Sequence, residues 1–122
     1  MFNTQTGLTQ KVLIIDDNPA VANALQLLLS VHDIDAEIAL TPQAGVKRLE
    51  NDDRIALVIQ DMNFTEDTTS GKEGQVLFYQ IRQVRPDIPV ILITAWTQLE
   101  TAITLVKSGA ADYLAKPWDD VK

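Results

Sequence analysis

Five short apolar runs, separated by stretches with helical periodicity, set the rhythm of this chain of 122 residues. The central run is Ile55 to Asp61, Ile-Ala-Leu-Val-Ile-Gln-Asp, bounded by the polar Asn51 to Arg54 and by a polar segment after Met62. Nearly continuous and rich in β-branched residues, it predicts a strand buried on both faces. Lys11 to Asp16 predicts a first strand, and Ile88 to Thr94 a fourth with Pro89 near its start. Ile34 to Ala39 sets Ile34, Ala36 and Ile38 against Asp35 and Glu37, the alternation of an outer strand. Asp112 to Ala115 reads as a short fifth strand, broken by Lys116-Pro117.

The intervening stretches carry helix signals. Asn18-Pro19 and Thr41-Pro42 each place a capping side chain before a proline, whose missing N–H is harmless in a first turn. Val21, Leu25, Leu28 and Leu29 give the first helix its sheet-facing side, and the second ends near Asn51. The third, within Gly71 to Arg85, carries Leu77, Ile81 and Val84 and stops before Pro86. The fourth, about Gln98 to Ser108, carries Leu99, Ala102, Ile103 and Val106, with Gly109 as a left-handed C-cap. His32, the sole histidine, reads as a cation at a helix end. Strands alternating with helices predict a parallel sheet with right-handed crossovers, hence a three-layer α/β sandwich. Residues 1–10 read as a flexible arm and 11–122 as one domain. Trp118 to Lys122 reads as the start of a fifth helix, cut short, so the chain is expected to be a piece of a longer protein.

Composition narrows the function. A single core filled by 46% hydrophobic residues excludes a two-domain enzyme. A formal charge of −7 argues against direct nucleic-acid binding, and the absence of cysteine removes a disulfide scaffold and a thiol nucleophile. With no signal-like N-terminus and no apolar run long enough to span a bilayer, a cytoplasmic setting is expected. The chemistry gathers at strand ends: Asp16 and Asp17 after the first strand, Asp61 closing the third and Thr94 closing the fourth. Open parallel sheets keep their sites at that edge.

Val12-Leu-Ile-Ile-Asp16-Asp17, Leu57-Val-Ile-Gln-Asp61, Ile93-Thr94-Ala95 and Tyr113-Leu-Ala-Lys116-Pro117 together resemble the receiver domain of bacterial two-component response regulators. The resemblance runs from Lys11 to Lys122 and implies a flavodoxin-like fold with strand order 2-1-3-4-5. It implies that Asp61 accepts a phosphoryl group from a sensor histidine kinase and holds it as an acyl phosphate. Mg²⁺ or Mn²⁺ would sit on Asp16, Asp17, Asp61 and the backbone carbonyl of Asn63. Lys116 would pair with the phosphoryl oxygens, its bond to Pro117 a cis peptide; Thr94 would bond the phosphoryl group and Tyr113 turn inward with it. Such a domain is no conventional enzyme, since it catalyses only its own phosphorylation and dephosphorylation.

Two departures stand out. Met62-Asn63-Phe64-Thr65 lacks the family's Met-Pro, and the matching glycine is Gly74, thirteen residues after Asp61, so the intervening loop is lengthened. Its Thr65 and Glu66 are candidate shields of the acyl phosphate, as is Trp96, two residues past Thr94. The longer loop and the run from Thr94 to Gly109 resemble receivers of sigma-54-type transcriptional activators, which implies an AAA+ ATPase and DNA-binding output module outside this chain, and homodimers. The alternatives are a stand-alone receiver acting by protein contacts, and an aspartate-nucleophile phosphatase suggested by Asp61-Met-Asn-Phe-Thr65. A flavin carrier is disfavoured because Asp16-Asp17-Asn18-Pro19 would repel a phosphate.

Overall fold

The computed structural model describes residues 10–62, 64, 72–94 and 99–115. Five strands, β1 (Lys11–Ile15), β2 (Ala36–Ala39), β3 (Ile55–Asp61), β4 (Val90–Thr94) and β5 (Asp112–Ala115), alternate with four helices. The helices are α1 (Pro19–Val31), α2 (Pro42–Asn51), α3 (Lys72–Val84) and α4 (Leu99–Lys107). Every neighbouring strand pair is parallel and the order is β2-β1-β3-β4-β5. The flavodoxin-like arrangement is therefore present, with β3 central and β2 at one edge. The arm before Gln10, the bond between Lys116 and Pro117, and the expected fifth helix lie outside the described residues.

The helix starts follow their local chemistry. Asn18 accepts from the N–H groups of Ala20 and Val21, Thr41 Oγ1 accepts from Ala44 N–H, and a proline follows each cap. Gly109, at φ 123°, ends α4; Ala110 N–H reaches back to the Leu105 carbonyl at 2.9 Å. A side chain would be strained in that left-handed turn.

The alternation of the strands divides the core. On one face Leu13, Ile15, Val58 and Met62 pack against Leu49 of α2, Leu77, Phe78 and Ile81 of α3, and Ala102 and Leu105 of α4. On the other, Val12, Ile14, Ile59 and Ile93 meet Ala22 of α1, with Leu25 and Leu29 alongside. The expected helix faces hold in the main, since Val21, Leu77, Ile81 and Ala102 are buried and Leu25, Leu29, Val84 and Val106 pack against the core. Leu28 is 56% exposed: at 100° per residue it lies about 70° from the direction midway between Val21 and Ala22, on the flank of the sheet-facing side, whereas Leu25 and Leu29 lie nearer its centre. Phe78 and Leu105 are fully buried, while Val84, Ile103 and Val106 are only partly so; the side chain of Leu99 lies outside the described set.

At the edge away from the strand C-termini, polar groups fasten the layers. Lys11 is buried and pairs with Glu37 and with Asp52, the latter at 2.6 Å; Arg48 pairs with Glu37 and Arg54 with Asp52. Arg85 donates to the Ile55 carbonyl at 2.7 Å, and Arg82 to the carbonyls of Ile88 and Gly109 at 2.6 and 2.9 Å. Hydrogen bonding to Lys11 is the main reason that the Asp52 and Glu37 carboxyls titrate below their ordinary values of 3.8 and 4.5, and hydrogen bonds to Asp52 and Glu37 raise Lys11 above 10.5. The carboxylates thus contribute stability above about pH 4 that is lost as pH falls through their depressed values, and Lys11 contributes stability lost only in strong alkali. Lys11→Met is expected to cost about 1–2 kcal/mol at pH 7, less than a fully buried pair would because both carboxylates keep solvent contact. Urea unfolding at pH 7 and pH 3 should show a smaller acid loss in the variant than in the parent.

Candidate functional site: an acidic cluster at the sheet edge

Register builds the cluster. Ile15 pairs with Gln60, so Asp16 and Asp61 emerge level at the C-terminal ends of β1 and β3, the point where chain order reverses across the sheet. Asp16 N–H donates to the Ala39 carbonyl and Met62 N–H to the Ile93 carbonyl, continuing the ladders to the rim. Asp17 follows on the turn into α1, where Asn18 N–H donates to Asp16 Oδ1 at 2.9 Å.

Asp16, Asp17 and Asp61 each offer a carboxylate oxygen, and these atoms all lie within 4.8 Å of one another. Asp16 and Asp61 are buried and Asp17 half-buried. Three acids so placed repel one another, and hard oxygen donors at this spacing suit a divalent cation such as Mg²⁺. The donor set therefore fits the expected metal, whose charge would offset the repulsion.

Thr94 is fully buried at the end of β4, one residue beyond Ile93, the partner of Asp61. Tyr113 sits on β5 opposite Leu92 and packs, partly buried, against the larger core. Asn63, Thr65, Glu66, Trp96, Lys116 and Pro117 lie outside the described residues.

Three contacts of the surroundings were not read from the sequence, although Gly74 itself was singled out there. Gln60, inside the apolar run of β3, is fully buried and donates through Nε2 to the Gly74 carbonyl at 2.8 Å. Gly74 rests on the strand end: a Cβ there would lie 2.5 Å from Met62 Cα, so only glycine lets α3 approach this closely. Glu73, in the first turn of α3, lines with Asp17, Thr41 and Phe64 a groove of about 270 Å³ beside the acids. The lone glutamine among Leu57, Val58 and Ile59 was the visible signal; Glu73 had none.

An α/β domain with three carboxylates converging at the switch point of a 2-1-3-4-5 sheet is the class of molecule that fold and site define. The family model for the response regulator receiver domain matches residues 12–122, and the chain belongs to that family. Response regulator protein FleR of Pseudomonas aeruginosa is 35% identical over 118 residues, which cover 92% of this chain and 22% of the relative. Transcriptional regulatory protein GlrR of Escherichia coli is 31% identical over 108 residues, covering 88% and 23%. A solved response regulator protein from Burkholderia pseudomallei, with a phosphorylated aspartic acid, calcium ion and citrate, matches at TM-score 0.74 and 26% identity over 88% of this chain and 60% of that one. The chain spans less than a quarter of the length of these curated relatives. Membership of the family leaves the phosphatase and flavin alternatives without support. No helix among the described residues is long and apolar enough to cross a membrane.

The cluster's electrostatics predict opposite effects of one substitution. In chelator, Asp17→Asn should melt higher than the parent, because a repelling charge has gone. In Mg²⁺ at about ten times its dissociation constant the parent should gain roughly 1.4 kcal/mol, and the variant little. Melting curves with and without Mg²⁺ check both.

Proposed function

We propose that this domain is a phosphorylation-controlled switch in which Asp61 accepts a phosphoryl group from a partner histidine kinase. The observation that carries the reading is Asp61 itself, buried at the end of the central strand with two further carboxylates within 4.8 Å. A carboxylate oxygen of Asp61 attacks the phosphorus in line; the phosphorus–nitrogen bond to the kinase imidazole breaks, and that ring departs with the electron pair and takes up a proton. A bound divalent cation supplies the positive charge that lets two anions approach. Asp17 and Asp61 are its direct ligands in this reading, with Asp16 acting largely through water and Asn63 through its carbonyl.

Lys116 neutralises the transferred oxygens and Thr94 bonds them, and the inward shift of Thr94 frees Tyr113 to turn, which alters the face formed by α4 and β5. Asp61 phosphate in the Burkholderia relative's manner is the model for this state. Transcription is the proposed output, in keeping with the GlrR relative, through an ATPase and DNA-binding module in the full-length cytoplasmic protein, with homodimers as the candidate active form.

The partner's phosphohistidine must reach Asp61, so the partner covers the site mouth from which α1 leads away. That helix has no charged residue and exposes Leu27, Leu28 and Val31, a surface suited to an apolar helical partner. Leu27→Asp with Val31→Asp should slow transfer from a phosphorylated kinase at least about tenfold, while modification by acetyl phosphate proceeds as in the parent. Equal slowing of both routes would place the effect in the site instead.

The reading itself is tested by intact mass after incubation with acetyl phosphate and Mg²⁺. The parent should gain one phosphoryl group, and Asp61→Asn or added chelator should abolish the gain.

A further inference from the structure

Gln60 carries a cost that the fold does not require. Its side chain sits on β3 between Val58 and Met62, on the face packed by α3, and is fully buried. Its Nε2 donates to the Gly74 carbonyl at 2.8 Å and lies 4.0 Å from Met62 Sδ, while Oε1 is buried with no hydrogen-bond partner among the described residues. The amide orientation follows from its neighbour, since only the NH₂ end can bond a carbonyl. A buried acceptor left unbonded is destabilising, and an apolar residue of similar shape would avoid the penalty. The amide is therefore accounted for by what it holds.

What it holds is the first turn of α3. Gly74 has no side chain to anchor that turn, and its Cα lies against the Met62 backbone, so the carbonyl is the group left to grip. The preceding residue, Glu73, lines the same groove as Asp17 of the β1–α1 turn. β3 ends at Asp61 and α3 begins at Lys72.

We infer that Gln60 is a positioning residue for the site: by clasping the Gly74 carbonyl it fixes the first turn of α3, and thereby sets the Glu73 carboxylate beside Asp17, where it adds to the field that draws a divalent cation to the cluster. The inference rests on the reading of the cluster as a cation site. Glu73 acts at a distance in this arrangement and is not one of the three clustered carboxylates. The field of an added carboxylate beside a partly buried site strengthens cation binding without touching the ion.

The test uses the chain itself with Mg²⁺ as the probe. In Gln60→Leu, amide hydrogen exchange over residues 72–78 should accelerate at least about tenfold while the melting temperature stays at or above the parent's. The Mg²⁺ dissociation constant, by calorimetric titration, should rise about three- to tenfold. Glu73→Gln should reproduce the rise in dissociation constant without faster exchange in α3. Unchanged exchange in Gln60→Leu would overturn the clasp. Faster exchange with unchanged affinity, or an unchanged affinity in Glu73→Gln, would overturn the positioning role. A general loss of stability with uniform exchange would make Gln60 a packing residue only and would also overturn it. The parent control separates the two readings: a parent that binds Mg²⁺ and takes up phosphate from acetyl phosphate leaves the function standing whatever the variants do, and a parent that binds no Mg²⁺ overturns both.

Discussion

Mutual repulsion among Asp16, Asp17 and Asp61 is the constraint around which the molecule is organised. Carboxylate oxygens that all lie within 4.8 Å of one another repel when ionised, and the more strongly the less water reaches them. Only a scaffold that is stable elsewhere can hold such a cluster. The parallel register of β1 and β3 imposes it: once Ile15 stands opposite Gln60, the following aspartates have nowhere else to go. Such repulsion is also what would make a divalent cation welcome and, in the proposed function, a phosphoryl transfer sensitive to it.

The two ends of the sheet are built in opposite ways. At the strand N-termini, opposite charges are matched through Lys11, Glu37 and Asp52, and Arg82 and Arg85 tie α3 to the starts of β3 and β4 and to the end of α4. At the strand C-termini, like charges are gathered, and the connections are a tight Asx turn before α1, a capped start to α2 and a glycine in the first turn of α3 pressed against Met62. Stability concentrated at one end leaves the other free to respond to charge. Gln60 bridges the two requirements, since it belongs to the rigid central strand yet grips the first turn of the helix that follows the lengthened loop.

Much of this was legible in the sequence because periodicity reports one-dimensional facts well. The bounds of β3 and α2, the proline-led caps and the left-handed Gly109 all follow from local residue chemistry, and the three aspartates follow from where strands end. Helix rotation was less legible. Leu28 and Leu29 are indistinguishable in composition, and only their places on α1, one at the flank and the other nearer the centre of its sheet-facing side, leave one exposed and the other half-buried. The groove with Glu73 was illegible, because it joins α3 to the β1–α1 turn across the lengthened loop, and no local pattern encodes that meeting. Gln60 was visible as a polar residue in an apolar strand, but its partner was not, since a backbone carbonyl leaves no signature in a sequence.

The central claim is that Asp61 reacts because a cation relieves the cluster. Borohydride reduction converts an aspartyl phosphate to homoserine, so peptide mapping after treatment with acetyl phosphate across a Mg²⁺ series locates the reacting residue and its dependence on the cation together. The account predicts homoserine at position 61 alone, rising with Mg²⁺ and absent in chelator. Homoserine at another aspartate, or a yield at position 61 indifferent to chelator, would contradict it.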